Sequence, residues 1–341
     1  METINYNIQN SIKNTISFGD SYGCKNNKVF HITYGSDKRY QFGVAISIIS
    51  VLINNPDSSF CFHVFTDECS DEYLSKIQEI VESFHTHIKI YYVDPEFFIT
   101  LPSTKVWSHA MYYRLLAYQR LEDEPERVLY LDADVMCAGS LKELAELDFF
   151  GNIAAVVDDL HDTKENSIVR LGSNLRDKRH YFNSGVMLVN LKAWREENLT
   201  QKALGMLLDP ELTKKIKYPD QDVLKIILSE RLIFLDRKYN TIYSLKSELK
   251  DKNHNNYRTV IKNNTVLVHY TGITKPWHSW GEYPSGEIFS KAWRLSPWKN
   301  LPLQPAETMI EMQKEYKHHF AHGKYLNGIL SLLKYKFKKA K

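Results

Sequence analysis

The sequence predicts an α/β protein: a mainly parallel sheet covered by helices. Three observations carry the prediction. Short apolar runs rich in β-branched and aromatic residues alternate with longer stretches of helical period. That alternation is the signature of parallel strands joined by crossover helices. And the runs close on turn formers or acidic residues, at the sheet edge where such folds bind ligands.

In order along the chain, residues 1–27 read as a flexible or loosely docked lead-in. "VFHITYG" (29–35) is a first strand ending in a turn. "QFGVAISIISVLINN" (41–55) has helical length and stops at "NNPDS". "FCFHVFTD" (60–67) is a second strand. "DEYLSKIQEIVESF" (71–84) places Tyr73, Leu74, Ile77, Ile80 and Val81 at amphipathic-helix spacing. "IKIYYVD" (88–94) is a third strand, "SHAMYYRLLAYQRL" (108–121) a helix, and "RVLYLDADV" (127–135) a fourth strand. The pattern then becomes mixed: "IAAVVDD" (153–159), "YFNSGVMLVNLKAW" (181–194), the helical "DQDVLKIILSE" (220–230) and "TVLVHYTG" (265–272).

Composition narrows the function. Hydrophobic residues are 43% of 341, enough for a sizeable core, and charged residues 25%. A formal charge of +3 does not mark a general nucleic-acid binder. Cys24, Cys61, Cys69 and Cys137 show no zinc spacing; Cys61 and Cys137 sit in apolar runs and read as core thiols of a reduced compartment. The polar, Asn-rich N-terminus carries no secretory signal, so a cytoplasmic protein is expected. The tail breaks the charge balance. Eight Lys against one Glu give residues 314–341 a formal +7, leaving −4 for the rest.

The apolar run of "VLYLDADV" (128–135) ends in Asp132 and Asp134. Two carboxylates so close repel, and a divalent cation with oxygen ligands relieves them best. A pair without a role is one alternative. An EF-hand is another, but Cys137 replaces its turn Gly and Met136 its fifth ligand, although Glu143 falls at the twelfth position. A haloacid-dehalogenase-like phosphatase, in which the first Asp attacks phosphorus, is a third. About 140 residues later "LVHYTGITKPWH" (267–278) supplies what the pair lacks. His269 can give a neutral nitrogen to a metal. Gly272 allows close backbone approach to a phosphate, and Lys275 is a point charge for a diphosphate. Together they can hold a cation and a diphosphate at a sheet edge.

With "YGSDKRY", "AMYYRLLA", "YFNSGVMLVNLKAW" and "YPDQDV" in the same order, the chain resembles the family 8 retaining glycosyltransferases over roughly residues 28–300. Within them it is most similar to the bacterial lipopolysaccharide core hexosyltransferases. "IYSLKSELKDK" and "KPWHSWGEYPS" resemble the subgroup that adds the third hexose of the outer core. The resemblance implies a GT-A catalytic domain over 28–280 and a helical C-terminal region, 281–341. It implies Mn²⁺ or Mg²⁺ on Asp132, Asp134 and His269, gripping the diphosphate of UDP-glucose or UDP-galactose.

It further implies that Asp37 reads the uracil edge and Tyr40 stacks on the ring; as plain residues they also suit a turn and helix packing. Arg114 is implied near donor sugar and phosphate, beside Asn183, Ser184 and Gly185. Lys275, Gly272 and His278 belong to the diphosphate segment. Asp220 faces the hexose hydroxyls, Gln221 the anomeric carbon, and Asp158, rather than Asp159, adds a sugar contact. Asp220 equally suits a helix N-cap. An amide is a poor nucleophile, which favours same-face attack over a covalent intermediate. The implied acceptor is a lipopolysaccharide core, and the transfer α-linked, α-1,2 by subgroup. A catalytically silent UDP-sugar binder is the non-enzyme alternative. "KYLNGILSLLKYKFKKAK" (324–341) mixes Lys with Leu, Ile, Tyr and Phe, as do helices that visit the anionic inner leaflet, or a packed terminal helix.

Overall fold

The computed structural model describes residues 8–19, 29–104, 108–121, 125–228 and 230–340. The strands are β1 Ile12–Phe18, β2 Phe30–Ser36, β3 Phe60–Thr66, β4 His87–Val93, β5 Arg127–Leu131, β6 Val135–Cys137, β7 Ala154–Asp158, β8 Phe182–Asn190, β9 Leu232–Phe234, β10 Thr241–Tyr243 and β11 Leu267–Tyr270. The helices are α1 Gln41–Asn54, α2 Asp71–Phe84, α3 Tyr113–Leu121, α4 Lys142–Ala145, α5 His161–Leu171, α6 Leu191–Glu196, α7 Leu199–Leu207, α8 Pro210–Thr213, α9 Pro219–Leu228, α10 Glu287–Arg294, α11 Met309–Ala321 and α12 Tyr325–Ala340.

Local chemistry explains the clear elements. β3 is buried along its whole length, as its unbroken apolar run requires of a central strand. α2 buries Tyr73, Ile77, Ile80 and Val81 and starts where the Ser70 side chain accepts from the Tyr73 amide. It ends at His85, whose φ of 50° breaks the helix.

Eight strands form the main sheet in the order β1-β4-β3-β2-β5-β8-β7-β9. β4, β3, β2 and β5 run parallel, as do β7 and β9; β1 and β8 run against their neighbours. One face packs on α1 and α2 through residues such as Ile46, Ile49 and Ile77; the other packs on α3, α7 and α9 through Leu116, Leu204 and Leu224. A smaller sheet, β10-β11-β6, continues beside β5. The expected parallel-rich sheet is present, with two departures.

The N-terminal lead-in is not uniformly loose, because Ile12–Phe18 pairs antiparallel along β4 as an edge strand. And "RVLYLDADV" is two strands, not one. The chain leaves the main sheet at Leu131, turns through Asp132–Asp134 and enters the small sheet at Val135. The thiols divide as well. Cys61 is disulfide-bonded rather than a free core thiol. Cys137 is free and buried, its thiol pushed up to about 12 by that burial, and Cys69 is free. Cys24 lies outside the described residues.

At the C-terminus, α11 begins with a capping box in which Thr308 and Glu311 satisfy each other's backbone amides. α12 folds back on it, with Tyr316 and Tyr335 rings 5.8 Å apart. Among the described residues no helix is long and apolar enough to cross a membrane.

Candidate active site

The turn between the two sheets opens into a cleft of about 580 Å³. Register explains why residues far apart in sequence meet there. β11 pairs antiparallel with β6, His269 opposite Val135, which sets the imidazole beside the preceding aspartates. β8 pairs with β5 up to Leu131, so Asn183, Ser184 and Gly185 follow the same edge. The Asp132 amide donates to the Gly185 carbonyl at 2.8 Å, locking the turn to β8.

One wall carries charge. Ligand atoms of Asp132, Asp134 and His269 lie within 4.8 Å of one another. His269 Nε2 is 3.0 Å from Asp134 Oδ1 and 3.7 Å from Asp132 Oδ2. Its Nδ1 lies 3.1 Å from Asn183 Oδ1 and 3.3 Å from Asn240 Oδ1, oxygens that only accept, so Nδ1 carries a proton and Nε2 faces the carboxylates. The Lys275 ammonium donates to Asp134 Oδ2 and, at 2.9 Å, to the Tyr270 carbonyl. Burial opposes the charge on Asp134, but Lys275 and then His269 outweigh it and hold the carboxyl below its ordinary range. Burial likewise works against charge on His269, and Asp134 and Asp132 overcome it, raising the imidazole above its ordinary value. Carboxylate oxygens and an aimed imidazole nitrogen fit Mn²⁺ or Mg²⁺. Gly185 has no room for a side chain, since a Cβ there would stand 2.3 Å from His269 and 2.7 Å from Asp132. Gly272 sits at φ 95°, a conformation that favours glycine.

The opposite wall is held by hydrogen bonds. Gln221 Oε1 accepts from the Ser184 amide (2.9 Å), while its Nε2 donates to Asp159 Oδ2 (3.0 Å). Asp220 Oδ2 accepts from Ser184 Oγ at 3.2 Å. Burial pushes the carboxyls of Asp220 and Asp159 above the ordinary range. Behind them Asp222 is fully buried, accepting both Arg170 nitrogens, the Tyr181 hydroxyl and the Lys217 and Tyr218 amides, which pins the start of α9. Arg114 joins the walls. Its guanidinium pairs with Asp132 at 2.9 Å and Asp220 at 3.2 Å, donates to the Ser184 carbonyl at 2.7 Å, and lies 4.1 Å over the Tyr130 ring.

Asp37 and Tyr40 line the cleft mouth. Asp37 caps the turn ahead of α1 by accepting from the Arg39 amide, and accepts from Ser108 Oγ at 2.8 Å. The remaining expected residues also line the cleft, with three exceptions. Gly185 acts behind the wall. Asp158 turns away, accepting from His180 Nδ1 at 3.0 Å, and the next carboxylate, Asp159, lines the cleft in its place. His278 faces inward, accepts from the Lys275 amide at 3.2 Å and stacks on Trp280; burial first of all brings its imidazole down to about 3. Ser108, Tyr218 and Glu311, to which the motifs assign no role, also line the cleft, as does Arg39 of "YGSDKRY", whose guanidinium pairs with Glu311 at 2.7 Å.

Residues 31–281 match glycosyl transferase family 8, and residues 283–339 match its C-terminal region. The chain is 41% identical over 308 residues to a lipopolysaccharide 1,2-glucosyltransferase of Escherichia coli, covering 90% of this chain and 91% of that one. It is 42% identical over 303 residues to a lipopolysaccharide 1,3-galactosyltransferase of Salmonella typhimurium, 88% of each. Its fold is similar to the galactosyltransferase LgtC solved with donor and acceptor sugar analogs, with a TM-score of 0.67 at 24% identity over 79% of this chain and 99% of that one.

Proposed function

The chain belongs to glycosyl transferase family 8 and has the GT-A fold, and from that premise we propose that it moves glucose or galactose from a UDP-sugar, with retention, onto a hexose of the lipopolysaccharide outer core. Relatives named as lipopolysaccharide 1,2-glucosyltransferase and 1,3-galactosyltransferase, each about two-fifths identical over most of the chain, support the acceptor class. The α-1,2 linkage is our reading of the subgroup resemblance. Membership in this family displaces the Asp-x-Asp phosphatase alternative.

The observation that carries the reading is the way His269 is held between two amide oxygens and two carboxylates. Amide oxygens of Asn183 and Asn240 claim Nδ1–H and leave Nε2 for a cation beside Asp132 and Asp134. When bound, Mn²⁺ or Mg²⁺ supplies positive charge against the diphosphate as UDP departs. Asp134 presents Oδ1 to that position while Lys275 holds Oδ2 and adds a second positive charge near the phosphates. Asp37 and Tyr40 receive the uracil. Asp220 accepts hexose hydroxyls, and Gln221, anchored at both ends of its amide, is held against the anomeric carbon.

Attack takes place on the face the leaving group vacates. The acceptor oxygen bonds to the anomeric carbon as the bond to UDP breaks. Its proton passes to an oxygen of the departing UDP. Asp159, tied to Gln221, is our assignment for the further sugar contact. The catalytic unit spans residues 28–280 in this reading, and 281–341 form the helical region that closes the cleft with Glu311 and carries the tail. The enzyme works at the cytoplasmic face of the inner membrane, where α12 meets anionic lipid. A silent binder would hold UDP without turnover. Purified protein given UDP-glucose and UDP-galactose with truncated core acceptors should therefore transfer one of them in Mn²⁺ or Mg²⁺; UDP binding without transfer to any core acceptor would overturn the reading.

A further inference from the structure

At the far end of β2 and β3 from the cleft, three ligand-type side chains share one face. The parallel register sets His31 opposite Cys61, and His63 follows two residues on, pointing the same way. His31 precedes Ser36, at the cleft end of β2, by five residues, or about 16 Å of strand. One donor atom from each of His31, Cys61 and His63 lies within 4.8 Å of the other two, and all three residues are buried. His31 Nδ1 and His63 Nε2 stand 2.9 Å apart, aimed at each other. A proton can bridge such a pair, and so can a cation. Tetrahedral zinc asks about 3.3 Å between nitrogen ligands, so the rings need to part by under half an ångström.

The surroundings favour the ligand form. Tyr91 Oη lies 3.1 Å from His63 Nδ1 and can accept its proton, which leaves Nε2 as the lone-pair donor. The sulfur of Cys61 is engaged in a disulfide in this structure.

We propose that His31, Cys61 and His63 form a second metal site, specific for a borderline-soft divalent cation such as Zn²⁺, that opens when the Cys61 disulfide is reduced. A dithiol gives two electrons and two protons, leaving two thiols and becoming a disulfide itself. The Cys61 thiol then loses its proton to water as sulfur binds the cation. One nitrogen and sulfur set of this kind excludes Mg²⁺ and suits Zn²⁺, the reverse of the carboxylate-rich cleft. Three protein ligands leave the fourth position to water. The site would brace the N-terminal ends of two central strands, and its occupancy would follow the thiol state.

Co²⁺ is the probe, because a cobalt–thiolate band in the near ultraviolet needs a sulfur ligand and the cleft set has none. Full-length protein reduced with a dithiol and freed of it under argon should develop the band, saturating at about one Co²⁺ per chain. Zn²⁺ should displace it. The oxidised protein and Cys61→Ser should lack it, and Tyr91→Phe, which keeps the ring, should weaken Co²⁺ binding about tenfold. No band in reduced wild-type protein, or a band that survives in Cys61→Ser, overturns the proposal.

Discussion

The two walls of the cleft hold carboxylates by different means. On the wall of Asp132 and Asp134 the charge is matched by charge, with Lys275 and His269 keeping Asp134 below the ordinary carboxylate range in spite of its burial. On the wall of Asp220 and Asp159 the partners are an amide, a hydroxyl and, at Asp220, the Arg114 guanidinium, and burial outweighs them and pushes both carboxyls up. A diphosphate leaving with negative charge needs a strong positive field. A neutral hexose needs directional hydrogen bonds that distinguish one hydroxyl from another. In the proposed reading one sheet edge serves both, because the chain changes sheets in the turn at Asp132–Asp134. Arg114, bonded to Asp132 and Asp220, keeps the walls at a fixed separation.

If the walls divide the work in this way, the charged one should be the more sensitive. Asp134→Asn removes a carboxylate charge from the cation set and should cut transfer by on the order of 10²-fold or more, with Asp132→Asn similar. EDTA should abolish activity in the wild type and Mn²⁺ or Mg²⁺ restore it. Steady-state transfer assays read all three. Full activity in EDTA would remove the cation from the charged wall and with it the contrast.

Asp220→Ala and Gln221→Ala test the other wall. Losing a polar contact to the sugar should lower turnover by about 10- to 100-fold. UDP affinity by calorimetry should stay within about threefold, since neither side chain faces the nucleotide in this arrangement. If both variants instead lost UDP affinity and kept their turnover, the walls would be wrongly assigned.

Much of this division is legible in the sequence, because its cues are local. The apolar run before Asp132, the helical period of α2 and the turn chemistry of "YPDQDV" each declare themselves within about ten residues. What escapes is set by register and by partners far along the chain. β1 is polar on its solvent side and gains strand form only from its pairing with β4. Asp158 and Asp159 cannot be told apart by composition; the chain leaves β7 at Asp158, so its neighbour lines the cleft. Glu311 and Arg39 are 272 residues apart, and no motif announces their ion pair. The turn at Asp132–Asp134 that splits one apparent strand between two sheets is invisible to the apolar pattern, because both halves are unbroken buried runs.

The charged wall should also titrate in a way the sugar wall does not. His269 is raised above 6.5 without a cation, by Asp134 first and Asp132 next against its burial. A cation needs the neutral imidazole, so binding must expel that proton. Affinity should level off above the raised value of His269 and weaken by up to about tenfold per pH unit below it. Calorimetry in buffers of different ionisation enthalpy would count one proton released per Mn²⁺. In Asp134→Asn the main cause of the raised value is gone, so the residual dependence should move to lower pH.

The smallest change in transfer to a soluble acceptor should come from α12, and that makes it the control for both walls. No residue of α12 lines the cleft; the C-terminal contribution there ends with Thr308, Ile310 and Glu311. One side of α12 packs on α11 near Tyr316 and buries Gly328. The other leaves Leu326, Ile329, Leu330, Leu333 and Phe337 exposed, from 46% at Leu333 to 79% at Leu326. These fall at i, i+3, i+4, i+7 and i+11, one stripe of the helix. Lys334, Lys336, Lys338 and Lys339 surround its C-terminal end. So the packed-helix expectation holds for one face of the helix, and the exposed face is the one that the proposed lipid contact would use. Anionic headgroups attract each nearby Lys by about 1 kcal/mol, less at high salt. Deleting residues 324–341 should weaken binding to anionic vesicles and slow transfer to membrane-embedded lipopolysaccharide. With a soluble core fragment, transfer should stay within about twofold, because both walls and α11 remain in place. Vesicle co-sedimentation at low and high salt, run beside the two transfer assays, separates the effects. Equal vesicle binding with and without the tail would reduce α12 to packing, and a loss on the soluble fragment would mean that the helix supports the cleft through α11.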